Sequence, residues 1–135
     1  MRIMKVLTVA AVAVALATGG AVAQSGISDG VIKIGVLSDM SSLYADLAGQ
    51  GSVVAARMAV ADFGADKKGM KVEIVSADHQ NKPDVGSQIA RQWYDADKVD
   101  VIVDTPNSGV ALAVNQITKD KGKAFLVSGA ASSDL

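Results

Sequence analysis

Short runs of aliphatic and β-branched residues alternate along this chain with longer amphipathic segments, and that alternation dictates a layered α/β fold. Val31–Leu37, Met70–Ser76, Val99–Val103 and Lys123–Val127 read as strands. Between them, Ser52–Phe63 carries Val53, Ala56, Val60 and Phe63 at helical spacing. The segment from Pro83 carries Val85, Ile89, Trp93 and Ala96, with Trp93 a core residue, and a third carries Val110, Val114 and Ile117. Pro83 suits a first helical position, while Gly64 and Lys121-Gly122 are placed as helix stops. The strands are too apolar to leave one face in water, so they call for a parallel sheet with helices on both faces. Right-handed crossovers then make it a doubly wound layer. The alternation ends in the loop after the fourth strand with no helix behind it. The expectation is therefore an incomplete lobe, a truncated fragment whose last strand is half-clothed.

The first 23 residues carry a different signal. Arg2 and Lys5 precede an apolar run, Val6–Ala17, and Ala21-Val22-Ala23 is the small-x-small pattern behind which a signal peptidase cuts. The run is shorter than the roughly 20 residues a bilayer span requires, and Gly19-Gly20 breaks it. Residues 1–23 are thus expected to be a signal peptide and residues 24–135 the working domain, exported to the periplasm. Without the two basic residues of that leader, 11 of the 13 Lys and Arg stand against 14 Asp and Glu. This mildly acidic balance argues against nucleic acid and anionic membrane surfaces as partners. The chain has no cysteine, so it uses no disulfide and offers no site for a lipid anchor.

In an open α/β sheet, ligands bind outside the C-terminal ends of the strands, which here places Ser38–Gly49, Ala77–Pro83, Asp104–Gly109 and Ser128–Asp134 together. Thr105-Pro106-Asn107-Ser108 leads into a helix N-terminus, where unpaired N–H groups and the helix dipole favour an anion. Asn107 or Ser108 fits there either as a helix cap or as a donor to a carboxylate. Ser128-Gly129-Ala130-Ala131-Ser132-Ser133 is small enough for a ligand to approach its backbone, or it is an ordinary connector. Tyr44 either stacks on a ligand or covers the sheet edge. The lone His79 has no second His or Cys with which to share a metal, and neither metal nor cofactor is expected. There is no Gly-x-Ser-x-Gly elbow, Gly122-Lys123 lacks the rest of a P-loop, and Gly49-Gln50-Gly51 lacks the third glycine of a dinucleotide site. Asp39 and Asp104 end the first and third strands as acidic residues do in phospho-receiver domains, a chemistry that export argues against.

Several runs together resemble the leucine/isoleucine/valine-binding family of periplasmic receptors for ABC transporters. They are Ile32–Leu37, Asp39-Met40-Ser41-Ser42, Tyr44-Ala45-Asp46-Leu47, Gly49-Gln50-Gly51, Asp78–Pro83, Val101–Ser108 and Gly122–Leu135. The resemblance implies the type I periplasmic-binding fold, of which this chain supplies most of a first lobe. It further implies a receptor, not an enzyme, that closes two lobes on a branched-chain amino acid or a related small carboxylate or amide. The solute is then passed to an ABC permease in the inner membrane. Its ligand loops map to Thr105, Pro106, Asn107 and Ser108 and to Gly129, Ala130 and Ala131, with a further contact at Leu47. Three positions depart from the family pattern: Asn107 where a serine is usual, Ala131 for a threonine and Leu47 for a tyrosine. Such departures spare main-chain contacts but not side-chain ones, which keeps an organic acid open as the solute. Two other readings remain: a ligand-sensing ectodomain of a signalling receptor, and an exported enzyme whose catalytic residues lie elsewhere.

Overall fold

The computed structural model describes residues 29–135, so the expected signal peptide lies outside the described residues. Four strands, β1 (Val31–Ser38), β2 (Lys71–Asp78), β3 (Val101–Asp104) and β4 (Ala124–Val127), form one sheet in the order β2-β1-β3-β4. Every pairing is parallel: Ile34 lies opposite Ile74 on one side and Val101 on the other, and Val103 opposite Leu126. Three helices connect them: α1 (Gly49–Phe63), α2 (Pro83–Asp95) and α3 (Ser108–Asp120), with a 3-10 turn at Asp66–Lys68. From β1 the chain steps one way to β2, then back across β1 to β3 and on to β4. Right-handed crossovers in opposite directions must lie on opposite faces. Accordingly α1 covers one face, while α2 and α3 share the other. The doubly wound parallel sheet expected from the sequence is what forms.

The core lies under α2 and α3. Leu37 and Ile102 from the sheet pack with Ala90, Trp93 and Tyr94 of α2, Val110, Val114 and Ile117 of α3, and Val99. Trp93 reaches this position because Gly35 has no side chain: a Cβ there would sit 2.4 Å from the indole ring. Tyr94 carries its hydroxyl inward to Thr118 Oγ1 at 3.0 Å and donates to the Ala124 carbonyl at 3.2 Å. The buried stripe of α2 is therefore Gly86, Ala90, Trp93 and Tyr94, rotated from the expected one; Val85 and Ile89 are half-buried and Ala96 is exposed. Gly86 is needed there because Val110 would stand 2.5 Å from any Cβ.

The opposite face is thinly covered. Val53 of α1 is buried, but Phe63, expected on the same apolar stripe, is 53% exposed, and Leu126 of β4 is 62% exposed. The half-clothed last strand is thus observed. Element boundaries shift by one to three residues from the sequence reading, and two of the shifts have a visible cause. Helix α1 begins three residues earlier, at Gly49, because the Ser38 hydroxyl accepts the Gly49 N–H at 3.1 Å. Strand β3 begins only at Val101: Val99 donates its N–H to the Trp93 carbonyl (2.9 Å), so it closes α2 instead of joining the sheet.

Candidate functional site

Strand β1 lies between β2 and β3, and the chain leaves β1 for one face and β3 for the other. Such a reversal opens a crevice at the C-terminal ends of the strands. Two carboxylates organise the first wall of it. Asp39 is fully buried; its Oδ2 accepts the Ser42 hydroxyl at 2.6 Å and the Tyr44 N–H at 2.9 Å, and its Oδ1 the N–H groups of Ser42 at 2.9 Å and Ser41 at 3.4 Å. Asp78 accepts from Met40 N–H (2.9 Å), Gln80 N–H (2.7 Å) and the Ser41 hydroxyl (2.5 Å). Burial works to raise both pKa values, but the donated hydrogen bonds outweigh it and hold both below the ordinary aspartate value. Asp39 is a hub for loop 39–48, with its oxygens engaged, and not a free nucleophile. Tyr44 belongs to the same turn, donating its N–H to Asp39 and accepting from Leu47 and Ala48.

Beyond that loop, Leu47 is 77% exposed. It lines a pocket of about 500 Å³ together with Met40, Gln50, Ser52 and Ala55. A second depression of about 290 Å³ shares Ser52 and Ala55 and runs on to Asp104, Leu126 and Ser128. The two make one trough from the start of α1 to the ends of β3 and β4. Asp104 accepts the Ser128 hydroxyl at 2.8 Å through Oδ1, while its buried Oδ2 has no partner. Asp104 and Thr105 are both left-handed (φ 80° and 63°), a costly conformation for such residues that turns the chain sharply off β3.

The ligand-loop residues expected from the sequence divide into two groups. Thr105 is fully buried, and both its N–H and its Oγ1 donate to the Leu37 carbonyl, at 2.9 and 3.0 Å. Its side chain pins the strand end. Pro106 is buried against Gly129, where an added Cβ would stand 3.1 Å from Pro106 Cα. Asn107 uses both ends of its amide: Oδ1 accepts the Val110 N–H at 2.9 Å and caps α3, and Nδ2 donates to Asn81 Oδ1 at 2.5 Å. Ser108 Oγ accepts the Ala131 N–H at 3.2 Å, which ties the two loops together. Gly129 and Ala131 are exposed, and Ala130 lines a separate depression with Asn115, Phe125 and Val127. Leu47 sits on the other wall: the trough runs from it to Asp104 and Ser128, which precede these two loops, and none of the other seven expected residues lines it.

Ser52, Asp78 and Asn81 were not singled out as site residues by sequence reasoning, and Asp104 only for phospho-receiver chemistry; the available signal was their place at strand ends and a helix start. His79 is fully buried. Its Nδ1 accepts the Asn81 N–H at 3.0 Å, which places the ring proton on Nε2. Burial lowers its pKa, overriding the nearby carboxylates of Asp39, Asp78 and Asp104, which act to raise it. The unfolded chain thus binds a proton here more readily than the folded one, so this contribution to stability is full above about pH 6.5. It is lost as pH falls from there through the lowered folded value. Urea unfolding of His79→Gln is expected to show a flatter stability profile than the parent across that window; parallel profiles would refute the assignment.

A family model described as periplasmic binding protein matches residues 31–135. Among solved structures, a periplasmic binding protein from Burkholderia mallei is 45% identical with a TM-score of 0.74, over 78% of this chain and 28% of that one. A branched chain amino acid ABC transporter periplasmic ligand-binding protein from Burkholderia xenovorans LB400 is 51% identical, with a TM-score of 0.71, over 75% of this chain and 27% of that one. An ABC transporter solute binding protein from R. palustris, in complex with 4-hydroxybenzoate, is 28% identical with a TM-score of 0.70, over 77% and 28% of the two chains. The chain therefore spans little more than a quarter of the length of these structures. No curated protein matches it.

Proposed function

Because this chain belongs to the periplasmic binding protein family, we propose that it supplies part of the first lobe of a receptor that captures a small solute for an ABC importer. The described residues form a partial first lobe of the type I periplasmic-binding fold. The observation that carries the proposal is the trough at the switch point, bordered by the strand that leads to the N-terminus of α3. The first amides of a helix, here those of Ser108 and Gly109, have no partner within it and suit a carboxylate. Leu47 and Met40 offer the apolar body of the solute a surface at the other end.

On this reading Thr105 and Asn107 act through the backbone they hold, whereas Ser108, Gly129 and Ala131 present main-chain groups and Leu47 a side chain. Pro106 and Ala130 set the shape of the two loops. A second lobe closes over the trough and expels water, which strengthens each polar contact; no bond is made or broken. The solute is a small carboxylate with an apolar body, a branched-chain amino acid or an aromatic acid. Two of the matched structures are described as ABC transporter proteins, which favours transport over the sensing-ectodomain reading. Residues 1–23 serve as the leader to the periplasm, residues 24–135 as lobe, and the partner is an inner-membrane permease.

Calorimetry on the full-length receptor, with leucine and 4-hydroxybenzoate as probes, tests this directly. Micromolar or tighter binding of one of them is expected, with the corresponding carboxamide weaker by at least tenfold. Failure of both acids to bind, or equal binding of acid and amide, would overturn the carboxylate reading.

A further inference from the structure

The loop between β2 and α2 contains two successive left-handed residues, Gln80 (φ 52°) and Asn81 (φ 58°). Non-glycine residues enter that region at a cost, with asparagine among the most tolerant. Here the strained pair is clamped by its neighbours. Asp78 Oδ1 accepts the Gln80 N–H at 2.7 Å, the buried His79 Nδ1 accepts the Asn81 N–H at 3.0 Å, and the His79 carbonyl accepts from Lys82 at 2.9 Å. The outcome of this arrangement is that Asn81 Oδ1 stands 2.5 Å from Asn107 Nδ2.

The Val110 N–H can only donate, so Asn107 turns Oδ1 toward α3, and its NH2 group is left for the Asn81 oxygen, which holds the amide in that plane. A flipped amide would set its NH2 group against the Val110 N–H and lose the cap. A serine cap has one oxygen and needs no such orientation. An asparagine cap does.

We infer that Asn81 is a positioning residue for the solute site: it fixes the Asn107 amide and through it the N-terminal turn of α3. The inference rests on the proposed use of that turn by the solute, and it deepens that reading by adding a residue from the second loop. Asn81 touches no solute. Its effect is to keep the free amides of the turn aimed at one point, which lowers the ordering cost when a carboxylate arrives.

The test uses the full-length receptor and three variants. Asn81→Gly keeps the left-handed backbone accessible while removing the acceptor. Asn107→Ser keeps a capping oxygen while removing the donor to Asn81, and the double variant closes the cycle. Affinity for leucine and 4-hydroxybenzoate and the exchange rate of the Val110 amide are read in parallel. Asn81→Gly is expected to weaken the bound probe about tenfold and to speed Val110 exchange by a similar factor, as loss of an orienting hydrogen bond would. In the Asn107→Ser background the same change is expected to alter neither. The inference is overturned if Asn81→Gly lowers only the melting temperature, or if its effects persist undiminished beside Asn107→Ser. Should the parent receptor bind neither probe, the solute reading fails, and Val110 exchange alone still decides whether Asn81 orients the cap.

Discussion

Trp93→Ala is expected to lower the unfolding free energy by about 3–5 kcal/mol, the range for truncating a buried aromatic side chain. The indole is only 6% exposed and belongs to the core cluster with Leu37, Ile102 and Val110, so its removal takes contacts from the sheet and from both helices of that face. The cavity cannot close readily, because the floor beneath the ring is the backbone of Gly35. Gly35→Val is expected to destabilise from the other direction, by roughly 1–3 kcal/mol, through overpacking against the same ring. The two are one packing unit. Their double variant should therefore be less destabilised than the sum of the singles, by more than about 0.5 kcal/mol. Urea unfolding of the full-length protein measures this, and additive values would show that the ring and the glycine do not depend on each other.

Asp39→Ala carries the second large effect, about 2–4 kcal/mol together with loss of solute affinity. Removing the carboxylate strands the Ser42 hydroxyl and the N–H groups of Ser42 and Tyr44; a donor left unpaired costs up to about 1–3 kcal/mol, and water recovers part of it at these partly exposed groups. Asp39→Asn is expected to recover little of the loss. Both aspartate oxygens accept, so whichever way an amide turned, its NH2 group would meet a donor. Because the folded pKa values of Asp39 and Asp78 are depressed, their stabilisation is present above pH 3.8 and disappears as pH falls below it. Acid unfolding of Asp39→Ala should accordingly begin from a lower plateau and fall less steeply below pH 4. A variant that matched the parent in stability and in affinity for its solute would remove Asp39 from the account of the first loop.

The sheet and its helices were legible from hydrophobic periodicity because burial on two faces forces apolar residues into each strand. Pattern alone could not place the β3 boundary: Val99 is as β-branched and as buried as the strand residues, yet its N–H goes to Trp93. The stripe of α2 was misplaced for a related reason. Small residues, Gly86 and Ala90, face the core where Val110 and Trp93 need room, and a search for large apolar residues passes over them. At the candidate site the strand-end loops were identified from topology and capping of α3 by Asn107 was one of two readings left open, but the use of Thr105 and the bond from Asn107 to Asn81 were not foreseen. Whether a polar side chain faces a solute or its own backbone depends on partners such as the Leu37 carbonyl and Asn81, distant in sequence.

The bond between the Ser108 hydroxyl and the Ala131 N–H, with Pro106 seated against Gly129, joins the loops after β3 and β4 into one piece. This has a consequence for how such a site changes over descent. The groups that hold the loops in place (Asp39, Thr105, Asn107) are those whose loss harms the fold, and they carry little chemical information about the solute. The exposed positions, Leu47 and Ala131, can be exchanged with small structural penalty, and on the proposed function they lie where chemical information is needed. If the proposed function holds, a lineage of this design is free to adopt a new nutrient by drift at a few surface positions, while its architecture is inherited unaltered.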